Sequence, residues 1–80
     1  MDRNEILINL QTILRDVVED ENLVLTESLN ASDVPGWDSL AHINLIGEIE
    51  KKFNIHFSMG EIVVLKNIKD LVDLIQTKLK

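Results

Sequence analysis

The sequence predicts an all-α fold: a four-helix bundle with three longer helices, one short helix and a long first loop. Three observations carry that expectation. Apolar residues recur at three- and four-residue intervals in separate stretches of the chain. Residues that cap helix N-termini precede these stretches. The one short alternating segment, Ile55 and Phe57, would be a strand with no partner. Eighty residues make a single domain over 1–80 with a core of limited size.

The first helix is expected over about residues 3–18. Asp2 and Glu5 have the spacing of a capping box, and Ile6, Leu10, Ile13, Leu14 and Val17 follow at helical intervals. A connection over roughly 19–36 follows, long for a helical bundle. Leu23, Leu25 and Leu29 tie it down, and Pro35-Gly36 marks its end. The second helix is expected over about 39–52, capped by Asp38. Its buried stripe is Ile43, Ile46, Ile49 and Phe53, widened by Leu45. Ser58 and Glu61 form a second capping box, opening a short helix over about 59–65 with Ile62, Val63 and Leu65. Gly60 and the β-branched residues make this the weakest helix. Asn67 caps the last, over about 68–79, where Ile68, Leu71, Val72, Ile75 and Leu79 repeat. Lys78 and Lys80 suit its C-terminal dipole.

Composition narrows the function. Fourteen acidic and eight basic side chains leave a net charge of −6, a poor surface for nucleic acid, where affinity rests on neutralising phosphates. A basic protein partner suits it better. There is no cysteine, hence no disulfide and no thiolate metal site. The N-terminal residues lack the basic region of a signal peptide, and no stretch reaches bilayer-spanning length, so the expected location is cytoplasmic.

An enzyme is not expected. The chain has no cysteine nucleophile, no His-Glu-x-x-His pair and no glycine-rich phosphate cradle. His42 and His56 read as surface or boundary histidines. Asp16, Glu19, Asp20 and Glu21 form a charge cluster without the ordered ligand spacing of a calcium loop, so no metal site is expected. Ser39 stands apart. It lies at the start of the second helix, in solvent, beside unpaired N–H groups that favour an anion. On spacing alone it is either a first-turn residue or an attachment point. Trp37 anchors the loop before it, and Leu40 after it lies on a face the apolar stripe does not bury.

The run Gly36-Trp37-Asp38-Ser39-Leu40-Ala41-His42-Ile43, followed by Leu45, Ile46, Ile49, Glu50 and Phe53, resembles the acyl carrier protein family. The likeness extends through Phe53-Asn54-Ile55-His56-Phe57 and Asn67-Ile68-Lys69-Asp70-Leu71, nearly the whole chain. It implies the acyl-carrier bundle, with Ser39 bearing a covalent 4'-phosphopantetheine donated by coenzyme A. Asp38 would help position the Mg²⁺-dependent phosphopantetheinyl transferase, the metal being needed by that enzyme and not held here. Acyl-loading and acyl-using enzymes would be the other partners of a monomer. Leu40, Asn44, Gly47, Glu48 and Ile62 would form the docking face. Ile43, Ile46, Ile62, Leu65 and Ile68 match the region that shelters an acyl chain, and all five also read as ordinary core.

The second helix departs from fatty-acid-synthesis carriers, which are heavily acidic on its outer side. Here the outer positions read as Ala41, Asn44, Gly47 and Lys51, with Glu48 and Glu50 as the main acids. The resemblance implies a fatty-acid, lipid or specialised acyl pathway, and that difference implies altered partners and a dedicated pathway rather than bulk fatty acid synthesis. An aminoacyl, peptidyl or D-alanyl carrier with the same arm is the near alternative, and an unmodified helical interaction module the distant one.

Overall fold

The computed structural model describes residues 2–79. The dipole role expected of Lys80 therefore lies outside the described residues. Helix α1 spans Arg3–Val17, α2 Ser39–Phe53, α3 Met59–Val64 and α4 Ile68–Lys78, and a 3-10 turn occupies Ala31–Asp33. The fold is the expected all-α bundle of three longer helices and one short one. Among the described residues there is no strand, only an isolated bridge between Asn30 and Asn67.

Each long helix begins on a side-chain cap. Asp2 accepts from the Glu5 N–H at 2.8 Å, Asp38 from Ala41 at 2.9 Å and Asn67 from Asp70 at 2.8 Å. Ser58 and Glu61 form a reciprocal capping box on α3. Helices α1 and α2 end on left-handed residues, Glu19 at φ 56° and Asn54 at φ 55°. The N–H of the following residue reaches back to the last turn: Asp20 donates to the Arg15 carbonyl, and Ile55 to that of Glu50.

α1 packs against both α2 and α4. Its stripe of Ile6, Leu10 and Leu14 meets Leu45, Ile46 and Ile49 of α2 and Leu71, Val72 and Ile75 of α4 in one apolar core. No α3 residue is buried.

The long loop is clamped at several points. Leu25 is buried, and Leu23 and Leu29 pack partly against the core. Gln11 accepts from the Leu25 N–H at 3.0 Å, and Arg15 donates to the Leu23 carbonyl at 2.7 Å. Arg3 bridges Glu27 in the loop and Asp73 on α4. Three backbone bonds join the loop to the start of α4: Ala31 donates to Lys66, Ile68 to Leu29 and Lys69 to Glu27.

The α2 stripe needs one correction. Ile46, Ile49, Phe53 and Leu45 are buried, but Ile43 is 63% exposed. At 3.6 residues per turn, Ile43 lies about 120° around the helix from Ile49, outside the arc that faces α1 and α4. Ala41, read as an outer position, sits inside that arc and is buried.

Candidate functional site

Val34-Pro35-Gly36-Trp37 forms a turn closed by the Trp37 N–H on the Val34 carbonyl at 3.1 Å. Gly36 has φ +90°, the left-handed value that a type II turn demands at its third residue. The turn drives the Trp37 ring into the core and leaves Asp38 to cap α2. Ser39 is thereby set as the first helical residue, exposed to solvent, with Leu40 beside it at 68% exposure.

Asp38 uses Oδ1 on the Ala41 N–H and its carbonyl on the His42 N–H. The N–H groups of Ser39 and Leu40 have no acceptor among the described residues. They stand at the positive end of a fifteen-residue helix, a setting that favours a phosphate oxygen.

Ser39 also borders an apolar cleft of about 540 Å³ between the start of α2 and α3. Trp37, His42, Ile43, Ile62 and Leu65 form much of its lining. Across it runs a chain of polar contacts. Trp37 Nε1–H donates to His42 Nδ1 at 3.1 Å, and His42 Nε2 lies 3.0 Å from the Ile62 carbonyl oxygen. The two rings also stack, with centroids 6.0 Å apart. An indole N–H can only donate, so Nδ1 accepts and Nε2 carries the proton that binds Ile62. α3 is pinned from the other side by Lys78, whose ammonium lies 3.0 Å from Glu61 and over the Phe57 ring. The Ser58 N–H and then Lys78 hold the Glu61 carboxyl below its ordinary range.

The residues expected to shelter a chain divide. Ile43, Ile62 and Leu65 line the cleft, whereas Ile46 and Ile68 belong to the core behind it. Of the expected docking residues, Leu40, Asn44 and Glu48 are exposed, and Gly47 and Ile62 are half-buried. Glu48 pairs loosely with Lys51 at 3.8 Å. Glu50 is not a free outer acid: its Oε2 accepts the Phe57 N–H at 2.9 Å and lies 3.1 Å from His56 Nδ1. His42 reads from the sequence only as a surface or boundary histidine; its one signal is Trp37 just ahead of the cap, the donor it meets.

The acidic cluster lies elsewhere. Asp16, Glu19, Asp20 and Glu21 stay exposed around an open polar concavity of about 450 Å³. Among the described residues, no group of three or more His, Asp or Glu is placed to hold a metal ion.

Comparison with known proteins adds the identity. The family described as "Phosphopantetheine attachment site" matches residues 9–75. The chain is 32% identical to the acyl carrier protein of Coprothermobacter proteolyticus, over 99% of this chain and 96% of that protein. It is 30% identical to the acyl carrier protein of Guillardia theta, over 98% of this chain and 96% of the relative. Its fold is similar to the solution NMR structure of holo acyl carrier protein from Geobacter metallireducens. The TM-score is 0.84 at 45% identity, over 91% of this chain and 84% of that one. The chain belongs to the acyl carrier protein family, a carrier with a phosphopantetheine attachment site and not an enzyme.

Proposed function

We propose that Ser39 bears the 4'-phosphopantetheine arm, donated by coenzyme A, and that the protein carries acyl groups as thioesters on the arm's thiol. The carrying observation is the placement of the Ser39 hydroxyl: exposed, at the start of α2, beside two unpartnered N–H groups and next to an apolar cleft. These residues fit the group. The helix end suits the phosphodiester, and the arm supplies the thiol that a cysteine-free chain lacks. Asp38 caps the helix through Oδ1 alone, which leaves Oδ2 for the Mg²⁺-dependent transferase.

The protein passes its cargo between enzymes of a dedicated acyl or lipid pathway, as a cytoplasmic monomer. The outer side of α2 supports that narrower reading. Ala41 is buried, Glu50 is engaged, and Asn44 and Gly47 carry no charge, so partners meet Leu40 and Glu48 rather than an acidic strip. Weak, fast encounters suit a carrier that must leave each enzyme. No helix among the described residues is long and apolar enough to cross a membrane.

Intact mass tests the assignment. Incubated with coenzyme A, Mg²⁺ and a broad-specificity phosphopantetheinyl transferase, the wild type should gain the arm's mass and Ser39→Ala should not. The same gain by Ser39→Ala would remove the site. The group found on the protein purified from its own cells separates acyl from aminoacyl cargo.

A further inference from the structure

We propose that His42 is a specificity-determining residue for the cargo: a latch between Trp37 and Ile62 that keeps α3 closed on α2 and confines a tethered acyl group to the outer cleft. The inference rests on Ser39 being the attachment site.

Three observations carry it. His42 makes its two contacts on opposite sides of the cleft, one to the loop that precedes α2 and one to the backbone of α3. α3 has six residues and buries none of them, so little apolar packing holds it in place. Beyond the partial packing of Ile62 and the buried Leu65 that follows the helix, its attachments are polar: the His42 bond on one side and the Lys78–Glu61 pair on the other. The cleft beside Ser39 is bordered by His42 itself. Ile43, Ile62 and Leu65 line it, while Ile46 and Ile68 lie behind in the core.

A chain that starts from Ser39 and runs toward Ile46 must part α2 from α3 and break the His42–Ile62 bond. Short acyl groups fit the outer cleft without that step. Longer ones must either open the latch or lie along the surface. Losing a bond of ordinary net worth shifts the balance between closed and open α3 by about threefold to tenfold toward open.

The test uses the full chain, loaded at Ser39 by the transferase from acetyl- or octanoyl-coenzyme A. Loading is first confirmed by mass, and thioester cleavage by hydroxylamine is then timed. In the wild type and in His42→Gln, which retains a donor and an acceptor, octanoyl and acetyl thioesters should be cleaved at similar rates. In His42→Ala, octanoyl cleavage should slow relative to acetyl, by up to about threefold, as the longer chain enters the opened cleft. Trp37→Phe keeps the aromatic anchor but removes the indole donor. It should move the ratio the same way, and it decides the matter should His42→Ala not fold. Ring-nitrogen NMR should show His42 protonated at Nε2 alone. A wild type that already protects octanoyl as strongly as His42→Ala overturns the latch, as does a Trp37→Phe ratio equal to that of the wild type. A wild type that fails to load overturns the attachment reading instead, and the latch with it.

Discussion

Glu50 accepts the backbone N–H of Phe57 through Oε2 at 2.9 Å, which makes this acid a strut of the α2–α3 connection. The same oxygen lies 3.1 Å from His56 Nδ1, and the side chain is only partly exposed. Glu50→Ala leaves the Phe57 N–H without its acceptor where Phe57 enters the core, and should cost about 1–3 kcal/mol. Glu50→Gln retains an acceptor oxygen and should cost less. Chemical denaturation of both variants checks this, and equal losses would show that charge, not the Phe57 bond, is what Glu50 contributes.

Ile46 and Ile43 lie three residues apart on α2 and should respond very differently to truncation. Ile46 is 3% exposed, so Ile46→Ala leaves a core cavity and should cost about 2–5 kcal/mol. Ile43→Ala removes a side chain already in solvent and should stay within about 0.5 kcal/mol. Equal losses in an unfolding series would mean that α2 presents a different face to the core.

Those residues mark what was readable in advance. Asp38, Ser58 with Glu61, and Asn67 announce three helix starts because a cap is a local device, complete within four residues. The α4 stripe reads well for a similar reason: Ile68, Leu71, Val72 and Ile75 fall on one buried arc, although Leu79, read with them, follows the helix and is exposed. On α2 the apolar residues cover more than one face, and intervals alone do not separate Ile43, which borders the cleft, from Ile46, which fills the core. Glu50 and His42 were hidden for another reason. Their partners are a backbone N–H and a backbone carbonyl on other segments, groups every residue possesses and no residue type reveals. The bonds from Ala31 to Lys66 and from Ile68 to Leu29 are illegible in the same way, although they fix the long loop. Ser39 stood out by its neighbours and by the unpaired N–H groups expected at a helix start, and the structure adds the cleft.

Acid should loosen the protein through two carboxylates. The Ser58 N–H and then Lys78 hold Glu61 below its ordinary value of 4.5, while Lys69 and then Arg3 hold Asp73 below 3.8. A depressed folded value means that the unfolded chain binds protons first as pH falls. The stabilisation is therefore complete above the ordinary carboxylate range and is lost as pH drops through the lower folded values. Melting temperature should fall with acid below about pH 4.5. Asp73→Asn and Glu61→Gln should each flatten that fall, because each removes one titrating site. An unchanged slope in both variants would assign the acid sensitivity to other groups.

Gly47 supplies the sharpest separation of stability from partner recognition. It lies in the interior of α2, has ordinary helical φ, and an added Cβ would meet nothing within 4 Å. Glycine is entropically costly in a helix, so Gly47→Ala should stabilise the protein by about 0.5–1 kcal/mol. The position is half-buried on the outer side of α2, near exposed Asn44 and Glu48, on the face the family resemblance implies for docking. If a partner needs the close approach that glycine allows, Gly47→Ala should be more stable yet a poorer substrate for its loading enzyme, with transferase modification at Ser39 unchanged. Unaltered loading by every partner would free Gly47 from any docking role and leave the outer face of α2 to Leu40 and Glu48.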